Sequence, residues 1–342
     1  MKLKWMTIAG PAVVLAILFY MSRPAKSYLF EGSGSGTTFT STAWSTSSLP
    51  IQWAINPTRS AAIVGNATVT NVMLNSFATW ENAPNTALSV ASPSTSTINN
   101  DQVPNGVNLV CFVCTGSSLD FSNTDGTLAL TVTSSTSNGQ ITQADIFFNP
   151  SPGISGQPGC FVTDGVPAGS NPCPATTPAT VPQDLQTVAT HEIGHFFGLD
   201  HSVITRAVMY PFAPTELTTL SYDDVAAISF LNPKLTPDVA TGTISGTVTN
   251  GASGVFGAHV FANSNSSADP YAALPNTFSL VRKSPIGTLT FPNGTYQISG
   301  LPPDSYVVIA EPLDGPVTNS NVDWASAWGQ TSVQSNFTTR WH

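Results

Sequence analysis

A short segment near the middle of the chain carries the residues best suited to chemistry. It contains His191 and His195, and two histidines four residues apart leave the same face of a helix, where both imidazoles can bind one metal ion. Glu192 lies beside the first ligand, so its carboxylate can act as a general base toward water at the metal without binding the metal itself. We expect Gly198 to end the helix, because glycine enters a left-handed turn without steric cost. His201 would then be the third ligand, and a fourth position left open is typical of a catalytic zinc site.

A methionine turn follows this segment and extends the pattern. The turn is Ala207–Pro211, with Met209 at its centre. The histidines, the glycine and this turn together resemble the signature of the metzincin peptidases, and Ser202 and Pro211 make the matrixins the most similar branch. The resemblance implies a zinc endopeptidase in which Met209 forms a hydrophobic floor below the metal without binding it. The alternative, that each residue has only a structural role, is disfavoured by their joint occurrence.

Length and charge limit the remaining options. The chain has 342 residues, more than one hydrophobic core usually organises, so we expect two domains. It carries 10 Lys and Arg against 19 Asp and Glu, and no basic patch is present to hold nucleic acid. The acidic excess therefore argues against nucleic acid and other anionic partners.

Residues 1–27 have the form of a secretory signal peptide. Lys2 and Lys4 precede an apolar run, and small residues near Ser27 suit a signal peptidase. Cleavage would leave Tyr28 as the new amino terminus and a secreted protein, extracellular or periplasmic, without stable membrane association. The alternative is an uncleaved anchor, because the apolar run approaches the length that spans a bilayer.

The four cysteines are expected to form disulfides in an oxidising compartment. Four cysteines can form two disulfides in three ways, and their number does not decide among these. Cys160 and Cys173 flank a loop upstream of the histidine segment, and we favour their pairing, which leaves Cys111 with Cys114. The alternative for the second pair is a redox or metal site.

Residues 28–233 are predicted to form an α+β catalytic domain. A strand is expected at residues 49–57, and from Thr70 a helix with an apolar stripe that includes Phe77 and Trp80. Further strands are expected at residues 107–113, 127–133 and 141–149. The order resembles the matrixin catalytic domain of the zincin fold, a twisted mixed sheet with long helices. The resemblance also implies that the strand at 141–149 is the antiparallel edge that pairs with substrate, although it could be an ordinary strand.

A last helix is expected after the methionine turn. Ser221 with Asp224 three residues later has the form of a capping box. The adjacent Asp223 and Asp224 resemble the acids that brace the methionine turn in matrixins. Stabilisation of the helix dipole alone would also explain them.

Residues 234–241 are predicted to be a linker to a second domain. Short strands separated by Gly, Pro and Asn in residues 242–342 indicate a small β-sandwich. Segments around Gly246, His259 and Gly300 resemble the carboxypeptidase regulatory-like, prealbumin-type module, in which we interpret His259 as an ordinary strand residue. Because the linker shows no sign of a shared core, a fragment ending near Pro233 is expected to fold alone.

The sequence departs from the extracellular matrixins at three points. No cysteine precedes Cys111, so latency through a propeptide thiol is not expected. His191 is the first histidine, so one zinc is expected. A calcium site that includes Asp120 and Asp125 stays an open alternative, because the oxygen ligands of calcium leave no firm pattern in a sequence.

Two functions compete. The first is a zinc endopeptidase acting on proteins or peptides, with an uncharged pocket wall at residues 210–215 that favours an apolar side chain after the scissile bond. The second is a surface adhesion or carbohydrate-binding protein whose β-sandwich binds an extracellular matrix or cell-surface ligand. Zinc content and casein hydrolysis would separate them.

Overall fold

The computed structural model describes most of the chain. The described residues are 28–100, 104–116, 119, 121, 126–154, 157–167, 169–175, 180–212, 217–272, 274 and 281–341. Three predictions therefore concern residues outside this part: the signal peptide at 1–27, the calcium candidates Asp120 and Asp125, and positions 213–215 of the predicted pocket wall. Within the described part, no helix combines the length and apolar composition that a membrane span needs.

The helices are short, and the three longest begin at a residue whose side chain caps them. In the described residues they are α1 (Val69–Glu81), α2 (Leu185–Phe196), α3 (Tyr222–Leu231) and the short α4 (Trp324–Ala327). The side chain of Thr68 caps α1, that of Asp184 caps α2, and Ser221 forms the predicted capping box with Asp224 at the start of α3. The predicted helices α1 and α3 are thus confirmed.

The strands are short and fall into two groups along the chain. Those before α2 are β1 (Gly32–Ser35), β2 (Thr38–Ser41), β3 (Ala54–Asn56), β4 (Ile63–Val64), β5 (Ser94–Thr95), β6 (Leu109–Cys111), β7 (Ala129–Ser135), β8 (Ile141–Phe148), β9 (Gly153–Ile154), β10 (Gln157–Val162) and β11 (Val181–Asp184). Those after α3 are β12 (Gly242–Thr247), β13 (Thr249–Asn250), β14 (Ser253–Gly254), β15 (His259–Ser264), β16 (Ile286–Leu289), β17 (Thr295–Leu301), β18 (Tyr306–Glu311) and β19 (Arg340–Trp341).

The largest sheet has the strand order β5-β3-β6-β8-β7. Its strands are parallel except β7, which runs antiparallel to β8 at the edge. The prediction that residues 141–149 form the edge strand is therefore wrong. β8 is an inner strand, buried at nearly every position as its continuous apolar run Ile146–Phe148 requires, whereas β7 is mostly half-buried.

Helix α1 packs against α2, and α2 packs against strands β7 and β8 of this sheet. The apolar stripe of α1 is fully buried, with Phe77 against Phe196 of α2 at 5.4 Å between ring centroids. The indole N–H of Trp80 donates to the carbonyl of Thr190 at 2.8 Å. The predicted stripe thus fixes α2, the helix that carries His191 and His195, on the domain core.

A smaller sheet leads directly into α2. Strand β10 runs parallel to β11 and to β4, and the last residue of β11 is the cap of α2. The predicted disulfides are confirmed: Cys160 bonds to Cys173 beside this sheet, and Cys111 bonds to Cys114.

The carboxyl-terminal strands form further sheets. One has the order β16-β15-β18-β19, and β12 pairs with β17 in another. His259 lies in β15, where its Nδ1 is 3.0 Å from a carboxylate oxygen of Glu311. Assignment of this part to a prealbumin-type sandwich stays a prediction.

Buried side chains on the two sides of the predicted linker pack together, and the division of the chain into two domains stays a prediction. One continuous cluster of buried side chains includes residues before and after the linker. Phe39 of β2 stacks on Trp324 of α4 at 5.2 Å, and Tyr222 of α3 packs edge-on against Tyr271 at 5.0 Å. The linker itself is held by Asn85, whose backbone and side chain bond to residues 238 and 239. The polar composition of the linker did not reveal these contacts, because they are made by residues far from it in sequence.

Candidate metal centre

Helix α2 presents His191 and His195 on one face, as their spacing predicts. Their Nε2 atoms are 3.2 Å apart. Two nitrogens that each lie about 2.0–2.1 Å from a zinc ion at the tetrahedral angle are about 3.3 Å apart. The pair therefore has the separation that two ligands of one zinc ion require.

A glycine turn brings the third histidine to the same point. Helix α2 ends at Phe196, and Gly198 has φ +96°, in the left-handed region that favours glycine. The chain then reverses, and ligand atoms of His191, His195 and His201 all lie within 4.8 Å of one another. All three imidazoles are partly exposed, so a fourth ligand can reach this point from solvent.

Each imidazole is oriented by a backbone carbonyl on its far side. The Nδ1 atoms of His191, His195 and His201 lie 2.7, 2.7 and 2.6 Å from the carbonyl oxygens of Val208, Leu199 and Asn321, respectively. A carbonyl only accepts, so each Nδ1 carries the proton and each Nε2 keeps its lone pair for a metal.

Their partial burial also keeps these histidines neutral. It lowers the pKa of His191 to about 3 and holds the pKa of His195 and of His201 below the ordinary value, with neighbouring imidazoles adding to the effect for His191 and His195. Neutral imidazoles with converging Nε2 atoms fit a zinc ion.

Glu192 lies next to the first ligand and is almost completely buried. Its Oε2 accepts a hydrogen bond of 2.7 Å from the hydroxyl of Thr131 on edge strand β7. The same hydroxyl is 3.0 Å from the Glu192 carbonyl, but it has one proton, and the shorter bond to the carboxylate is the stronger. Burial raises the pKa of Glu192 to about 7, against the lowering effect of this bond. A carboxyl group with its pKa near neutrality can both accept and return a proton.

The methionine turn packs directly against α2. Met209 is buried, and its Sδ lies so close to Gly194 that a Cβ there would be 2.1 Å away. The Met209 carbonyl accepts from the backbone N–H of Ser202, and this bond connects the methionine turn to the residue directly after His201. Pro211 follows the turn and is half-buried.

The two acids of α3 have different partners. Asp224 accepts from the backbone N–H groups of Val208 and Met209, at 2.8 and 3.2 Å, and from Ser221. Asp223 accepts from the Ser202 hydroxyl at 2.6 Å and from the backbone N–H of Gly287 at 2.9 Å. Both carboxylates are buried and make directed hydrogen bonds, which a general dipole effect does not account for.

The structure adds residues that the sequence did not reveal. Thr131 and Asn321 lie far from the motif, and no local pattern marks them. Asp200 accepts from the backbone N–H of His201 at 2.6 Å, and its position directly before the third histidine was a usable signal. Glu31 lies 3.9 Å from Nδ1 of His195 and accepts from Thr133 at 2.7 Å.

Comparison with known proteins agrees with this geometry. Short stretches of the chain resemble Metalloendoproteinase 1-MMP of Arabidopsis thaliana (52% identity over 63 residues, 17% of each chain) and Karilysin of Tannerella forsythia (39% over 69 residues, 18% of this chain and 15% of the relative). Stromelysin-3 of Rattus norvegicus is 44% identical over 73 residues, 20% of this chain and 15% of the relative. The chain thus matches less than a fifth of the length of each of these relatives.

The family profile of Matrixin, however, matches residues 43–232, more than half of the chain. The chain therefore belongs to the matrixin family.

Proposed function

We propose that this protein is a secreted zinc-dependent endopeptidase. The observation that carries the proposal is the convergence of three neutral imidazoles on one point, each with its Nδ1 held by a carbonyl, beside the buried carboxylate of Glu192. The names of the related metalloendoproteinases support the same activity. His191, His195 and His201 would hold the zinc ion, which when bound supplies a Lewis acid that polarises a peptide carbonyl and acidifies water.

The protein's own groups then carry the proton. Glu192 would accept the proton of the attacking water and return it to the amine that leaves when the peptide bond breaks. Thr131 would hold the carboxylate in place through its hydroxyl. The carbonyls of Val208 and Leu199 keep the first two imidazoles aligned.

Edge strand β7 would hold the substrate. It pairs only with β8 among the described strands, so its other edge offers backbone N–H and C=O groups to an extended peptide. Thr131, the partner of Glu192, lies on this strand. A peptide bound along β7 would therefore pass beside the catalytic carboxylate.

The proposal includes three features that were first suggested by the sequence. These are export through residues 1–27, an apolar preference after the scissile bond, and a prealbumin-type fold for residues 242–342. The two disulfides and the aromatic pair Tyr210 and Phe212, 5.8 Å apart, support the first two. Adhesion or carbohydrate binding by the carboxyl-terminal part stays an alternative without a specific observation in its favour.

Metal analysis combined with a conservative variant tests the activity. The wild type should contain about one zinc ion and hydrolyse casein, and changing any of the three histidines to Ala should remove the zinc. Glu192→Gln keeps the size of the side chain and an acceptor for Thr131, so it should retain zinc but lose at least about 100-fold in rate, the scale for removing a general base. A zinc-free wild type, or an E192Q variant near wild-type activity, would show that the proposal is wrong.

A further inference from the structure

We propose that residues 321–324, here called the clasp, hold His201 in its metal-binding orientation, so that the carboxyl-terminal part of the chain is a component of the metal centre. The inference rests on the proposed zinc site. It goes beyond that site because the clasp lies outside the region that the family profile matches. The clasp residues would be positioning residues, acting on the metal only through His201 and Asp200.

The first contact fixes the ring of the third ligand. The backbone carbonyl of Asn321 accepts from Nδ1 of His201 at 2.6 Å across a separation of 120 residues. The corresponding acceptors for His191 and His195 are only 17 and 4 residues away from them. The carbonyls of Leu199 and Val208 thus orient the first two ligands from nearby in the sequence, and the clasp orients the third.

The second contact fixes the backbone of the same ligand. The backbone N–H of Asp323 donates to Oδ2 of Asp200 at 2.9 Å, while Oδ1 of Asp200 accepts from the backbone N–H of His201. Asp200 is only 6% exposed, so both bonds are sheltered from water. Its carboxylate therefore connects the clasp to His201 a second time.

The clasp is itself firmly held. The side chain of Asn321 accepts from the backbone N–H of Thr318 at 2.8 Å, which closes the turn that presents the carbonyl. Trp324 is 2% exposed, stacks on Phe39, and donates from its indole to the carbonyl of Thr290 at 3.0 Å. A carbonyl anchored in this way can orient an imidazole without moving when a metal binds.

The expected effect on zinc affinity is large enough to measure. Outer partners of metal-binding histidines typically contribute 10- to 100-fold to metal affinity or activity. Water could replace part of a lost bond, because a bridging water is nearly as good a partner as a direct one. We therefore expect loss of a clasp contact to weaken zinc binding by about tenfold, toward the lower end of that range.

A proline at Asp323 tests the second contact. Val322 is extended, with φ −136° and ψ 144°, and Asp323 has φ −84°, so Asp323→Pro removes the N–H with little change of backbone. Asp323→Ala loses the same carboxylate but keeps the N–H. Chelator competition on the full-length protein should show about tenfold weaker zinc binding in D323P than in D323A, and the visible spectrum of bound Co²⁺ should differ between them.

A second pair tests the turn that carries the carbonyl. Asn321→Ala removes the bond to Thr318, whereas Asn319→Ala removes an amide of the same size two residues away and leaves that bond intact. N321A should bind zinc more weakly than N319A, and thermal melting of the zinc-free proteins should show that all variants are folded. If D323P does not fold, this pair decides.

Differences below threefold within both pairs would overturn the inference, and a larger difference in either pair between folded variants supports it. Peptide cleavage is not the readout. A wild type that binds zinc but cleaves nothing would refute the endopeptidase proposal and still allow the clasp to be tested. A wild type that binds no zinc would refute both.

Discussion

Gly194 and Met209 are in such close contact that any side chain at the glycine would force its neighbours to move. A Cβ on Gly194 would lie 2.1 Å from Sδ of Met209 and 3.0 Å from Cζ2 of Trp80. The methionine turn therefore rests directly on the helix backbone between His191 and His195. The metzincin signature fixes the histidines and the glutamate and leaves position 194 variable. In this chain Gly194 is part of the contact that supports the metal centre.

Gly194→Ala should destabilise the protein. In an exposed helix the same change stabilises by up to about 1 kcal/mol, whereas forcing an extra carbon into a packed core costs about 1–3 kcal/mol. Here the second effect should win because both neighbours are buried. Urea unfolding should show a lower midpoint for G194A, and the loss should shrink in a Met209→Ala background, where the closest contact is removed and that with Trp80 stays. An increase in stability would contradict the packing argument.

Thr131→Val should shift the pH dependence of activity. The hydroxyl of Thr131 favours the ionised form of Glu192, so its removal should raise the pKa of Glu192 above the value near 7 that burial produces. The base works only when ionised, so activity is present above this pKa and is lost as the pH falls. A bound zinc ion lowers the pKa in both proteins but leaves the direction of the shift unchanged.

Profiles of kcat/KM against pH measure this effect. The acid limb of T131V should lie at higher pH than that of the wild type, and Thr131→Ser, which retains the hydroxyl, should restore it. Identical limbs in all three proteins would mean that the hydroxyl does not control the ionisation of Glu192.

The sequence predicted the metal-binding residues better than the order of the strands that surround them. The spacing of His191 and His195 fixes their common face on any helix, and Gly198 marks the turn that returns His201. Those features are local and depend on backbone geometry. The sequence placed β8 at the edge of the sheet, whereas the structure has β7 there. Which of the two is the edge depends on which strand pairs with β6, a long-range choice that the alternation of polar and apolar residues does not encode.

The carboxyl-terminal contacts were hidden for a related reason. Asn321 acts through its backbone carbonyl, which every residue possesses, so no residue type could mark it. Trp324 and Trp328 show no periodic pattern, because they fill the space between Phe39 of β2 and Phe291 instead of forming one face of a long element.

Asp224→Asn should weaken the methionine turn more than Asp223→Asn affects its surroundings. Asp224 accepts from three backbone N–H groups and the Ser221 hydroxyl, and an amide nitrogen in place of one oxygen must leave at least one buried N–H without a partner. Such a loss costs about 1–3 kcal/mol. In D223N the Ser202 hydroxyl can rotate and accept from the new amide, so its loss should be smaller.

Chemical denaturation of the zinc-free proteins separates the two variants. The unfolding midpoint should fall further for D224N than for D223N, and zinc affinity should follow the same order, because Val208 also supplies the carbonyl that orients His191. Equal midpoints would show that the turn does not depend on the acceptor capacity of Asp224.

A fragment of residues 28–233 should be less stable than the full chain and bind zinc more weakly. Removing the carboxyl-terminal part deletes the partner of His201 at Asn321 and the N–H of Gly287 that bonds to Asp223. It also exposes Phe39, which is now covered by Trp324 and Trp328.

A chain cut at Leu235 is the matched control, since this residue is fully exposed in the linker and the cut removes no residue from either side. The cut protein should stay assembled in native buffer, separate only in denaturant, and keep the zinc affinity of the intact chain, because the shared core holds the parts together. Thermal melting, size-exclusion chromatography and chelator competition measure these properties. A fragment that matches the full chain in melting temperature and zinc affinity would show that residues 28–233 form an independent unit and that the shared core contributes little to its stability.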